Sequence, residues 1–144
     1  MELNDNILKH SRTVAKRMSD FVTENRDAFT CSPEEMFVLG MLHDIGYAFT
    51  DDQPEHAKVA GEFLREEGYR YWREVYYHGI PQTEYDSVEL RLLNYIDITT
   101  GYGGEIMSAE ERIDEITAKY GVLSVQAKGA VELGRLVENN PVLK

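Results

Sequence analysis

Residues 32–46 read SPEEMFVLGMLHDIG, and the fold turns on this stretch. Ser32 can cap a helix, Pro33 suits the first helical position and Glu35 stands at the third, which is the arrangement of a capping box. The helix is expected to end before Gly46. Because Met36, Phe37, Val38, Leu39, Met41, Leu42 and Ile45 leave it almost no polar face, it should be surrounded by other helices at the centre of the domain.

Outward from there the apolar spacing is helical throughout. Ile7, Val14, Met18 and Phe21 fall near one stripe, which predicts a first helix over about residues 6–25. A third helix is expected to begin near Pro54, after an acidic turn with Asp51 and Asp52 that can cap it, and to end at Gly68. A fourth, aromatic helix follows over about residues 69–78, stopped by Gly79 and Pro81. The fifth is expected to be capped by Asp86, with Glu89 three residues on, and carries Leu90, Leu93, Ile96 and Asp97. After the glycine-rich turn from Gly101 to Gly104, Ser108 and Glu111 form a second capping box for a helix to Tyr120. Ser124 can start a last helix through about Val137. No segment alternates as a strand does, so the expected class is all-α, a bundle of about six or seven helices.

The 144 residues include 15 Lys or Arg against 26 Asp or Glu, a formal net charge of −11. With 42% hydrophobic residues the chain can bury the core of one small domain. So acidic a chain has no broad basic face for a nucleic-acid duplex, although local charges can still hold a single nucleotide. The apolar run over residues 36–42 is far below the ~20 residues of a membrane span, and Glu2 and Asp5 stand where a signal peptide would be basic. A soluble, cytoplasmic protein is the expectation, as monomer or homodimer. Cys31 is the only cysteine, so any metal must be held by imidazole and carboxylate.

The four histidines fall on inward faces. His10 follows Ile7 by three residues and precedes Val14 by four; His56 precedes Ala60 by four; His78 follows Val75 by three; Asp97 follows Leu93 by four. His43 and Asp44 end the apolar helix, where an aspartate faces the negative end of the helix dipole unless a cation is near. Singly, each has an ordinary alternative: a core histidine bonded to a carbonyl, or a helix-terminal residue. Jointly, six inward ligands from five helices point to a metal centre in a helical bundle. Imidazole with carboxylate and open positions favours iron or manganese, with cobalt, nickel or zinc also compatible.

The ordered set His10, His43, Asp44, His56, His78 and Asp97 resembles the HD-domain superfamily of metal-dependent phosphohydrolases. His43, Asp44, Ile45 and Gly46 are the HDIG form of its signature, and His10, Ser11, Val14 and Ala15 resemble its first helix. The additional His56 and His78 resemble the two-metal members. The resemblance covers roughly residues 7–100, leaving a helical extension over about 101–144 within a single domain. It implies that His10, His43, Asp44 and Asp97 bind one metal and His56 and His78 the second, with Asp44 bridging the two and orienting a metal-bound hydroxide. Two divalent transition metals are implied, iron first.

The layout is similar to small bacterial hydrolases that split diadenosine tetraphosphate. It implies hydrolysis, by metal-activated water, of a phosphate ester or anhydride of a nucleotide, such as a dinucleoside polyphosphate. Two alternatives stay open: a mixed-valent diiron oxygenase, which some HD-type proteins with a similar ligand set are, and a non-catalytic metal- or nucleotide-binding module. Candidate substrate contacts are Lys58, Arg12, Arg91 and Thr99. Tyr69, Tyr71, Tyr76, Tyr77, Tyr95 and Tyr102 can stack a base, but an aromatic stripe on short helices reads first as core or partner surface.

Overall fold

The computed structural model describes residues 3–50 and 55–143, and these are all-helical. Seven α-helices follow in order: α1 Asp5–Glu24, α2 Pro33–Leu42, α3 His56–Glu66, α4 Trp72–Tyr77, α5 Val88–Ile98, α6 Ala109–Tyr120 and α7 Val125–Asn139. Tight helical turns, Arg26–Ala28 and Ile45–Ala48, follow α1 and α2. The expected start near Pro54 and the cap at Asp51 and Asp52 lie outside the described residues. Among the described residues, no helix is long and apolar enough to cross a membrane.

Both capping boxes form as the sequence requires. The Ser32 hydroxyl accepts from the Glu35 amide while the Glu35 carboxylate accepts from the Ser32 amide, and Ser108 and Glu111 do the same for α6. The cap of α5 is Ser87, not Asp86: the Ser87 hydroxyl accepts from the Leu90 amide at 2.9 Å. That hydroxyl also donates to the buried Glu74 carboxylate at 2.7 Å, so a tertiary partner selects it over its neighbour. Asp86 pairs instead with Arg91. The aromatic helix is shorter than expected, because Gly68 at φ +78° ends α3 and residues 69–71 turn before α4 begins.

The main core lies between α1, α2, α3, α4 and α5, with Met18, Met36, Leu39, Val75, Leu92 and Leu93 fully enclosed. A smaller cluster joins Ile98 at the end of α5 to Ala130 and Leu133 of α7, with Ile113 and Ile116 of α6 against it. Helix α5 therefore serves both. Helix α2 is not wrapped on all sides: Met36, Leu39 and Gly40 are buried, whereas Phe37 and Val38 are 43% and 46% exposed. Its buried face is fixed by close approach to α1, where the Ala15 backbone fills the space that a β-carbon on Gly40 would need.

Candidate metal centre

Each candidate ligand sits where a helix starts, stops or crosses a neighbour. His10 is on α1, His43 is the C-cap of α2, Asp44 opens the following turn, His56 is the first residue of α3, His78 is the C-cap of α4, and Asp97 is one residue from the end of α5. All but Asp97 are in the buried class, and Asp97 is half-buried beside them.

The imidazoles are held from behind. Nδ1 of His43 donates to the Gly40 carbonyl at 2.6 Å, Nδ1 of His78 to the Val75 carbonyl at 2.6 Å, and Nδ1 of His10 to the Gly101 carbonyl at 3.0 Å. A carbonyl can only accept, so each Nδ1 carries a proton and Nε2 is the ring atom that faces inward, where it can hold either a second proton or a metal. Tyr47 stacks on His56 with ring centroids 4.2 Å apart and planes 10° apart.

Those inward atoms converge around Asp44. Its Oδ2 lies 3.2 Å from His43 Nε2 and 3.7 Å from His10 Nε2; its Oδ1 lies 3.0 Å from His56 Nε2 and 3.2 Å from His78 Nε2. Asp97 Oδ1 closes the first side, 2.7 Å from His10 Nε2 and 3.5 Å from His43 Nε2. The Nε2 atoms of His10 and His43 are 3.3 Å apart, as are those of His56 and His78. Lone pairs at that separation repel unless a proton or a metal ion lies among them, and three overlapping sets of three donors each have the spacing a cation takes. The donor set therefore fits divalent cations.

Electrostatics agree. Burial works against the charge on Asp44 and Asp97, but the histidines around them hold both carboxyls well below the usual carboxylate range. Burial likewise works against a charge on His43, yet Asp44 and Asp97 raise it well above its ordinary value. Such a cluster attracts positive charge, as protons or as metal.

Residues outside the ligand set hold it in place. The Asn94 carbonyl oxygen accepts from the Gly79 amide at 2.8 Å and so anchors the chain just after His78. Arg17 donates to the Thr99 carbonyl at 3.0 Å, the Thr99 hydroxyl at 3.0 Å, the Thr100 hydroxyl at 2.8 Å and the Ile96 carbonyl at 3.3 Å. It places a cation at the negative end of α5, beside Asp97. The glycine turn is closed by the Gly101 amide donating to the Glu105 carbonyl at 2.8 Å, and it supplies the carbonyl that orients His10.

The His and Asp cluster opens onto a cleft of about 880 Å³, within the ~300–1,000 Å³ of small-molecule sites. Helices α6 and α7 form its far wall, with Tyr102 of the preceding loop and Arg112, Lys119 and Tyr120 of α6. Of the candidate substrate contacts Lys58 lines the cleft, and Arg12, Arg91 and Thr99 do not. Arg12 is exposed on α1, Arg91 is tied to Asp86 at 2.6 Å, and the Thr99 hydroxyl donates to the Tyr95 carbonyl at 2.7 Å. The sequence reading passed over Arg17 and Arg112. The signal for Arg112 was its place three residues after Ala109 and four before Ile116, on the inward face of α6.

Fold and site together define an all-helical protein with a buried His and Asp cluster able to hold metal. The sequence matches the HD domain family over residues 7–113, and the chain belongs to that family, whose members are generally metal-dependent phosphohydrolases. Comparison with curated proteins and with solved structures returns no significant match.

Proposed function

We propose that this chain hydrolyses a phosphate ester or anhydride of a small nucleotide. The observation that carries the reading is the division of Asp44, one oxygen toward His10 and His43 and the other toward His56 and His78. One carboxylate shared between two histidine pairs suits two cations, with Asp97 completing the first set. When bound, the cations would supply Lewis acidity toward phosphoryl oxygens and a water acidic enough to attack at neutral pH.

The chain's own residues carry the rest. The carbonyls behind His10, His43 and His78 fix which ring nitrogen faces the cleft. Among the described residues no serine, threonine or cysteine lines the cleft, so the reading has water, rather than a side-chain nucleophile, attack phosphorus. Among the described residues, and apart from Asp44 and Asp97, the charged side chains on its wall are Lys58, Arg112 and Lys119 against Glu55, the reverse of the balance in the whole chain. That reversal favours an anionic substrate.

The test is metal content by elemental analysis on protein purified without chelators or a histidine tag, followed by turnover assays with Mn(II). The substrates are p-nitrophenyl phosphate, nucleotides and diadenosine tetraphosphate. About two metals per chain and anaerobic turnover of a phosphate compound are expected. Turnover that needs O₂, with a coupled Fe(II)/Fe(III) signal, would replace hydrolysis by oxygenation. Tight nucleotide binding with no turnover would leave a binding module.

A further inference from the structure

Among the described residues, Arg112 is the one cation of the cleft wall that is also buried, at 8% exposure. One of its guanidinium nitrogens donates to Glu115 Oε1 at 2.9 Å, and its Nε has no hydrogen-bond partner. The guanidinium lies over the Tyr102 ring, 4.3 Å from the centroid, and Lys119 Nζ is 4.2 Å from the same centroid. Glu115 Oε1 also accepts from the Tyr102 amide at 3.1 Å. Tyr102 follows Gly101, whose carbonyl holds His10. A continuous path of contacts thus runs from the ligand cluster through Gly101, Tyr102 and Glu115 to Arg112.

A buried guanidinium is costly unless its charge is matched, and the single carboxylate of Glu115 leaves terminal nitrogens of Arg112 on the cleft wall to meet a further anion. Glu115 and the Tyr102 side chain each engage the guanidinium, and its remaining terminal N–H groups keep the planar geometry that matches a phosphate. Arg112 shares the cleft with Asp44 and Asp97 but, among the described residues, pairs with neither, so its guanidinium is more than 4 Å from both carboxylates.

We propose that Arg112, oriented by Glu115 and Tyr102, receives a second phosphate of the substrate, one that is not attacked. The site accordingly selects compounds with two or more linked phosphates over phosphomonoesters. Lys119, exposed at the rim on the same tyrosine, adds charge to that subsite. The inference rests on the phosphohydrolase reading for which phosphate is attacked, but the anion subsite can be measured without turnover.

The probes are inorganic tripolyphosphate and orthophosphate, titrated by calorimetry into the wild-type chain and into Arg112→Gln, with Arg112→Lys as a second variant. A charged hydrogen bond contributes about 1.5–3 kcal/mol, or roughly 10- to 100-fold in affinity. Wild type is expected to bind tripolyphosphate at least about tenfold more tightly than orthophosphate, with that ratio collapsing toward one in Arg112→Gln. Arg112→Lys should fall between, because a point charge replaces the fork. If Arg112→Gln does not fold, the lysine variant carries the test: a ratio equal to that of wild type overturns the proposal. An unchanged ratio in Arg112→Gln, with or without a lower melting temperature, makes Arg112 a structural residue and also overturns it. No preference for tripolyphosphate in wild type does the same, even if p-nitrophenyl phosphate is turned over and the hydrolase reading stands. Conversely, absence of all turnover with the tripolyphosphate ratio intact would remove the hydrolase reading and leave the subsite.

Discussion

The carbonyl of His56 occupies the space that a β-carbon on Gly46 would need. The turn after α2 is thereby pressed against the first residue of α3, which brings Asp44 to 3.0 Å from His56. The glycine of the HDIG segment is thus a requirement of close approach, set two residues beyond the carboxylate it positions. Gly46→Ala should push the two segments apart, at a cost of about 1–3 kcal/mol from overpacking. Thermal melting and elemental analysis check this: a lower melting temperature with loss of metal is expected, and an alanine variant that melts and loads like wild type would show that the contact relaxes freely.

If Asp44 serves both halves of the cluster, replacing it differs from replacing a histidine of either half. Asp44→Asn should abolish binding at both positions, whereas His56→Ala should leave about one metal per chain, held by His10, His43, Asp44 and Asp97. In wild type, metal at about 100 times its dissociation constant should raise stability by roughly 2.7 kcal/mol, and this gain should vanish in Asp44→Asn. Elemental analysis and melting curves with Mn(II) give both readouts. Two metals retained by Asp44→Asn would mean that the carboxylate does not bridge.

High pH should unfold this protein through buried groups outside the His and Asp cluster. Burial pushes the Cys31 thiol from its ordinary 9.0 up to about 11, and burial also raises Tyr85 and Tyr102 to about 12. Tyr69 and Tyr71 are raised for the same reason. Each keeps its proton in the folded chain at a pH where the unfolded chain has released it, so the unfolded state gains as pH rises. Their contribution is fully present below pH 9 and is lost on passing through 11 and 12. Urea midpoints should be lower at pH 10.5 than at pH 8.5, and Cys31 in the folded chain should resist thiol reagents at pH 8.

Much of this was legible in local patterns. The helix starts at Ser32 and Ser108 needed only a four-residue signal, and the six residues that cluster in the structure stood in the sequence as polar residues at helical spacing from apolar ones. What escaped depended on contacts distant in sequence. Asp86 and Ser87 are both good caps, and the buried Glu74 decided between them. Phe37 and Val38 are as apolar as Leu39, so hydropathy alone did not show which side of α2 lacks a neighbour. Arg112 stands among the charges of an acidic helix, and only the return of α7 makes that position a cleft wall.

Arg17 is the clearest case of a residue with no local signature, since its four acceptors lie 79 to 83 positions away. It is half-buried, and burial lowers the pKa of its guanidinium, yet it stays charged at any pH the fold survives. Arg17→Met keeps the apolar stem and removes every donor; the Ile96 and Thr99 carbonyls and the Thr100 hydroxyl keep their other bonds, to the Thr100 hydroxyl, the Met107 amide and the Ile96 carbonyl, but lose the charged donor that ties them to α1. The loss should cost about 1–3 kcal/mol. Because the same turn carries Asp97 on one side and the Gly101 carbonyl on the other, the damage should reach the metal set holding His10 before that holding His56. Metal titration of Arg17→Met should therefore show one weakened position and one near wild-type affinity. Equal weakening of both would mean that the end of α5 supports the whole cluster, and no weakening would confine Arg17 to stability.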